Sequence, residues 1–139
     1  MEQLFELLKT LYLIRFYAKD IHYNAKGESF WSDHLLADEI FSGIDDFTDQ
    51  INENLYLGYE NKAPKSKDIL GAVAESMPPL PTDITQCWKN LSNLIVNAIQ
   101  LINEIENEYS DAPINSLLDS IADDLQKKRG LIWRRKLSI

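Results

Sequence analysis

The sequence is poor in cysteine and lacks long hydrophobic runs. Cys87 is the one cysteine among 139 residues, so the chain can form neither an internal disulfide framework nor a CxxC metal site. No apolar stretch reaches the roughly 18 uncharged residues of a membrane span. Glu6 and Lys9 interrupt the apolar residues 4–14, and no small-residue cleavage site follows them. We therefore expect a cytoplasmic protein with no membrane span and no secretory signal.

Positive charge is also scarce. Fourteen Lys and Arg stand against 22 Asp and Glu, which gives a formal net charge of −8. Because phosphate contacts need concentrated positive charge, this balance argues against nucleic acid as an obligatory partner. It is compatible with the binding of cations.

The apolar residues recur at helical spacing almost throughout, and no strand pattern is present. We predict four long helices and a short one between the second and third. The first helix has more than one buried face and stops near Gly27, and the second runs from about Ser32 through Leu55 to Gly58. The short helix spans about 67–76. The third long helix begins at Asp83 with Gln86 in a capping box, and the fourth follows Asp111, Ala112 and Pro113.

The long connection between the second and third helices predicts the fold class. Short loops make neighbouring helices antiparallel, whereas a crossover of this length can leave the second and third helices parallel, as in ferritin-like bundles. We expect an all-α, ferritin-like four-helix bundle with one long crossover that contains a short helix. It forms a single domain over residues 1–139.

Potential metal ligands are concentrated on the second helix. His34, Asp38, Asp49 and Glu53 fall at about 0°, 40°, 60° and 100° around one straight helix, so they share a stripe. His22, the only other histidine, lies 12 residues before His34. Imidazole and carboxylate ligands without thiolates suit iron, zinc or manganese.

One copy of this helix cannot gather these ligands, because His34 and Asp49 are roughly 22 Å apart along its axis. A two-fold axis between two subunits brings the first cluster of one chain against the second cluster of its mate. The spacing thus predicts two equivalent sites at a dimer interface. The alternative is a solvated acidic face, which Asp33, Glu39, Asp45 and Asp46 on the same helix would extend, with His22 merely capping helix one.

The ligands stand in a recognisable pattern that includes Asn24, Gly27 and Phe30. This segment resembles the Dps mini-ferritins (DNA-binding proteins from starved cells), whose pattern is H-W-N-x-x-G-x-x-F-x-x-x-H-x-x-x-D-x(10)-D-x-x-x-E. The resemblance is strong over residues 12–55 and weaker in the fourth helix, where the spacing from Asp119 to Trp133 also fits. The matching ligand positions are His22, His34, Asp38, Asp49 and Glu53.

The resemblance implies a ferroxidase and iron-storage protein that protects against oxidative damage. In the family, Fe²⁺ is oxidised at sites shared between subunits, preferably with hydrogen peroxide, and ferric mineral is stored in a hollow dodecamer built from two-fold dimers. Tyr23 replaces the usual tryptophan beside the site, and Asn54 replaces an arginine of an intersubunit ion pair. Asp119 is the pore candidate by position.

Two other functions remain open from the sequence. A helical shell could keep the ligands but bind zinc or no metal, without redox turnover. A nucleoid protein could bind DNA through the basic cluster near the C-terminus, although the acidic charge and the missing lysine-rich N-terminal tail argue against it. For that cluster, favourable interaction with the end of a helix is the preferred interpretation. It comprises Lys127, Lys128, Arg129, Arg134, Arg135 and Lys136.

Overall fold

The computed structural model describes residues 2–137, with side chains through residue 135. The helices are α1 (Glu2–Asn24), α2 (Phe30–Phe41), α3 (Ile44–Gln50), α4 (Ser66–Ser76), α5 (Ile84–Glu108) and α6 (Ala112–Leu137). A π-helical segment (Ile51–Tyr56) and a 3₁₀ turn (Leu57–Tyr59) extend α3. No strand occurs in this part of the chain, and none of its helices is long and apolar enough to cross a membrane.

The four long elements of the bundle are α1, the α2–α3 pair, α5 and α6. Helix α1 packs against α2, α3, α4 and α5, whereas α6 packs against α5 and α2. Both flanks of α1 are occupied, which explains why its leucines at positions 4, 7, 8 and 11 are all buried. The predicted all-α bundle and the two buried faces of its first helix are confirmed.

The crossover agrees closely with the sequence. The predicted short helix is α4, which buries Ile69 and Val73 against the bundle. Asp83 caps α5, since its carboxylate accepts a hydrogen bond from the Thr85 amide at 3.1 Å. The predicted capping box is wrong in its second half, because the Gln86 amide group donates to Asn90 at 2.9 Å instead.

The second long helix is not continuous, contrary to the prediction. Ser42 has an extended backbone and Gly43 has φ of +84°, so α2 ends and α3 begins with a change of direction. Glycine tolerates this left-handed conformation because it has no Cβ. The predicted stop at Gly58 is also displaced, since Glu60 is the residue with positive φ, and its amide bonds to the Leu57 carbonyl at 3.0 Å.

Trp88 and Cys87 lie next to each other at the start of α5 and are both buried. The Cys87 thiol donates to the Pro81 carbonyl at 3.2 Å, and burial raises the pKa of that thiol. Cys87 is thus a small buried side chain of the core. Trp133 differs, because 56% of its surface is exposed, so it is not part of the core of one chain.

Candidate metal centre

Two histidines meet where α1 ends and α2 begins. His22 lies in the last turn of α1 and His34 in the second turn of α2, and the Gly27 turn (φ of +94°) brings the two helices together. Their imidazole rings stack with centroids 3.6 Å apart and planes 17° apart. The two histidines, which the resemblance matches to ligand positions, therefore lie together within one chain.

Reciprocal hydrogen bonds orient both rings. Nδ1 of His22 lies 2.8 Å from the His34 carbonyl oxygen, and Nδ1 of His34 lies 2.7 Å from the His22 carbonyl oxygen. A carbonyl can only accept, so each Nδ1 carries the proton and donates it. In the neutral imidazole, Nε2 then has a free lone pair, which is the form that binds a metal ion. The two backbone carbonyls thus orient both rings and leave both Nε2 atoms without a proton.

The histidines are set in an exposed surface of large apolar side chains, which we call the histidine face: Tyr23, Phe30, Trp31 and Leu35. Tyr23 is 69% exposed and Trp31 is 64% exposed. The Trp31 ring stacks on His34 with centroids 5.7 Å apart, while Tyr23 meets His22 edge-on at 5.2 Å. A contiguous apolar surface of this kind around polar ligands marks an interaction site.

The acidic candidates do not join the histidines within one chain. Asp38, Asp49 and Glu53 are all exposed, and no group of three or more His, Cys, Asp or Glu side chains in the described residues could hold a metal ion. The angular positions expected for these residues on one straight helix do not apply. The break at Ser42–Gly43 and the π-helical turn that carries Glu53 both change the rotation between the two ligand pairs.

Asp33 is a buried network residue that the sequence interpretation missed. The sequence places Asp33 on a possible solvated acidic face, but in the fold this residue has no exposed surface. Its Oδ1 accepts from Trp88 Nε1 at 3.0 Å and from Arg135 Nε at 2.8 Å, and its Oδ2 accepts from Ser29 Oγ at 2.7 Å. The signal available in the sequence was Trp88, since a buried indole N–H needs an acceptor.

The C-terminal basic cluster is engaged within the bundle. Lys128 is buried and bonds to the Ser42 carbonyl at 2.9 Å and to Asp124 at 2.8 Å. Arg135 pairs with Asp33, and the exposed Lys127 lies 3.7 Å from Glu39. These contacts give Lys127, Lys128 and Arg135 structural roles, through ion pairs and through the carbonyl at the end of α2. The Lys136 side chain lies outside the described residues.

An acidic pair that includes the pore candidate, Asp119, lies between α5 and α6. Burial, and next to it the neighbouring Asp119 carboxyl group, raises the pKa of Glu106 to about 7. Within the described chain, the buried Glu106 Oε1 has no hydrogen-bond donor. A proton shared between the two carboxyl groups accounts for both observations, because two carboxylates this close cannot both ionise at low cost.

Comparison with solved structures finds the crystal structure of Dps92 from Deinococcus radiodurans at a TM-score of 0.66. The two sequences are 17% identical, and the match covers 96% of this chain and 82% of that chain. This chain has a Dps-like ferritin fold. At 17% identity the likeness establishes the fold, and metal binding has to be argued from the chain's own residues. The sequence matches no protein-family model and no curated protein.

The Dps-like fold explains the order of elements around the histidines. The long bundle helices supply the two ring-bearing segments, and α4 occupies the crossover between α3 and α5. Two irregular positions interrupt the second long element of this chain, the break at Gly43 and the π-helical segment. Both lie after α2, so they change the placement of Asp49 and Glu53 and leave His34 and Asp38 together on α2.

Proposed function

We propose that this Dps-like protein is a ferroxidase and iron-storage protein that works as a homo-oligomer. The observation that carries the proposal is the pair His22 and His34, whose Nδ1 atoms are both held by backbone carbonyls. That arrangement leaves two Nε2 lone pairs on an exposed face, with no third ligand among the described residues of the same chain. A second subunit is therefore needed to complete the coordination of Fe²⁺, which is the substrate.

The partner contributes carboxylates in this proposal. Asp49 and Glu53 are exposed and lie on the element that follows the Gly43 break, so a two-fold contact can present them to the mate's histidines. Asp38, one turn after His34, is a further ligand or orients one. The histidine face supplies the apolar part of the interface, since Tyr23 and Trp31 expose more than half of their surface in one chain.

The chemistry follows from the ligand types. Two imidazoles and two or three carboxylates bind Fe²⁺ and leave coordination positions for an oxidant, and the carboxylates favour the ferric product. Hydrogen peroxide is the proposed oxidant, and a ferric oxyhydroxide mineral held in a hollow dodecamer is the proposed product. Tyr23 lies beside the site, and Asp119 is proposed to line the iron entry. The free thiol Cys87 fits a reducing compartment, and we place the protein in the cytoplasm.

The direct test is iron oxidation by the purified apo-protein. Fe²⁺ is added without oxygen, hydrogen peroxide follows, and ferric absorbance is recorded against a protein-free sample. We expect faster oxidation with protein, and a product that stays soluble and elutes with it. The His34→Ala variant should lose most of the acceleration. Equal rates with and without protein would overturn the proposal, and tight Zn²⁺ binding without iron turnover would favour the non-redox shell instead.

A further inference from the structure

Helix α2 has an unusual anchor at its start. Its buried residues are Asp33, Ala37 and Ile40, so the apolar attachment of this helix begins only after His34. Around His34 itself, Phe30, Trp31 and Leu35 are exposed. In the first turn, the buried contact with the rest of the bundle is therefore made by a carboxylate rather than by a hydrocarbon side chain.

We propose that Asp33 is a positioning residue for the histidine pair. One oxygen of its carboxylate receives N–H groups from α5 and α6, at 3.0 Å from Trp88 and 2.8 Å from Arg135. The other receives the Ser29 hydroxyl at 2.7 Å, in the loop that leads into α2. These bonds fix the first turn of α2 to two other helices and to its own entry loop.

The position of that turn decides the orientation of both imidazoles. The carbonyl that holds His22 belongs to His34, the residue directly after Asp33, and the His34 ring donates to the carbonyl of His22. Residue 22 is held separately, because its neighbour Ile21 is buried in the core. A rotation or slide of α2 would lengthen both bonds and separate the stacked rings, whose centroids are 3.6 Å apart.

A carboxylate suits this task better than an apolar anchor. Hydrogen bonds from Trp88 and Arg135 are directional, whereas apolar contacts tolerate small shifts of one helix along another. The Asp33 side chain is completely buried and that of Arg135 is 13% exposed, so water competes little for these bonds. Arg135 is 102 residues from Asp33 in sequence, and through this contact the end of α6 also supports the first turn of α2.

The inference rests on the proposed role of the histidines as metal ligands, and its test separates the two. The test variant is Asp33→Asn, which keeps the size of the side chain and removes its charge and one acceptor oxygen. The control is Lys128→Met, which removes another buried charge that joins α6 to the opposite end of α2 at Ser42. Both variants are studied as the assembled, metal-free protein.

The first measurement is the tautomer of each ring, from ¹⁵N shifts of labelled histidine at about pH 8. The chain has two histidines, so the spectrum holds two sets of ring signals. We expect both wild-type rings to be protonated at Nδ1, and Asp33→Asn to populate the Nε2-protonated form. The second measurement is Zn²⁺ affinity by calorimetry, which we expect to fall about tenfold in Asp33→Asn. Lys128→Met should match the wild type in both.

Unchanged tautomers and Zn²⁺ affinity in Asp33→Asn would overturn the inference, as would equal changes in Lys128→Met. If Asp33→Asn does not fold, Trp88→Phe takes its place, because it removes one N–H donor and keeps the buried ring. The same shift in the same direction is then expected, and its absence overturns the inference. If the wild type binds no metal and oxidises no iron, the proposed function fails, while the tautomer comparison still decides the role of Asp33.

Discussion

At the scale of single residues, Oε1 of the Glu106 carboxyl group is buried with no hydrogen-bond donor among the described residues, and its acidic neighbour is Asp119. Its pKa is about 7 in the fold, above the ordinary value of 4.5. The folded state therefore binds this proton more tightly than the unfolded chain does. The resulting stabilisation is complete below about pH 4.5 and is lost as the pH rises through about 7.

The first prediction concerns that pair. Glu106→Gln keeps a neutral group at every pH, so its free energy of unfolding should vary less between pH 5 and 8 than that of the wild type. Over this pH range, we expect the free energy of unfolding of the wild type to fall by roughly 1–2 kcal/mol relative to that of the variant. This is less than the full pKa shift corresponds to, because the pair is partly solvated. Urea unfolding at fixed protein concentration measures it. Asp119→Asn should flatten the profile as well, and parallel profiles in all three proteins would contradict the shared proton.

At the scale of elements, the break between α2 and α3 depends on one glycine. Gly43 has φ of +84°, and a Cβ built there would meet no atom within 4 Å. A side chain at this position therefore strains the backbone without colliding with a neighbour. The break therefore depends on the conformational freedom of residue 43.

The second prediction uses this difference between strain and collision. Gly43→Ala should destabilise the fold by about 1–2 kcal/mol through the left-handed backbone alone. The matched control is Gly71→Ala, in the middle of α4, where a Cβ also meets nothing and no positive φ is present. That change should stabilise by up to about 1 kcal/mol because alanine is the better helix former. Thermal unfolding of both variants checks the opposite signs, and equal effects would remove the role assigned to Gly43.

Some of these elements could be predicted from the sequence, and others could not. Local signals were sufficient for α4 and for the Asp83 cap, because prolines and a capping carboxylate act within a few residues. The pairing of His22 with His34 was implied by the resemblance to the Dps mini-ferritins, whereas the spacing alone left His22 as a possible cap of the first helix. The Gly43 break was missed because apolar periodicity continues across it from Ile40 to Phe47. Asp33 was missed because its partners, Trp88 and Arg135, are distant in sequence and only the tertiary fold brings them together.

At the scale of the whole molecule, the histidine face should join two subunits. The third prediction is that Trp31→Glu weakens this contact, because it places a charge in an apolar interface next to carboxylates of the mate. Trp31 is 64% exposed in one chain, so the substitution should leave the helical content of the subunit intact. Sedimentation should show smaller species than the wild type, and circular dichroism should be unchanged. Trp31→Phe keeps an aromatic ring and should assemble normally.

The fourth prediction tests whether each site is built from two chains. His34→Ala and Glu53→Ala subunits should each be inactive alone, since every site in either homodimer lacks one ligand. In a mixed dimer, the His34 of the Glu53→Ala chain faces the intact Glu53 of the His34→Ala chain, and one of the two sites is whole. With random mixing, half the dimers are mixed, so roughly a quarter of the sites should recover.

The measurement is the initial rate of Fe²⁺ oxidation in co-expressed mixtures, with mixed assemblies confirmed by two different affinity tags. A site formed within one chain would recover nothing, because every chain still lacks a ligand. The control pairs His34→Ala with His22→Ala, two lesions that fall on the same half of the site. In that mixed dimer each site carries one lesion, so no rescue is expected. Rescue by the first pair and not by the second therefore requires that the histidines of one subunit act with Glu53 of the other.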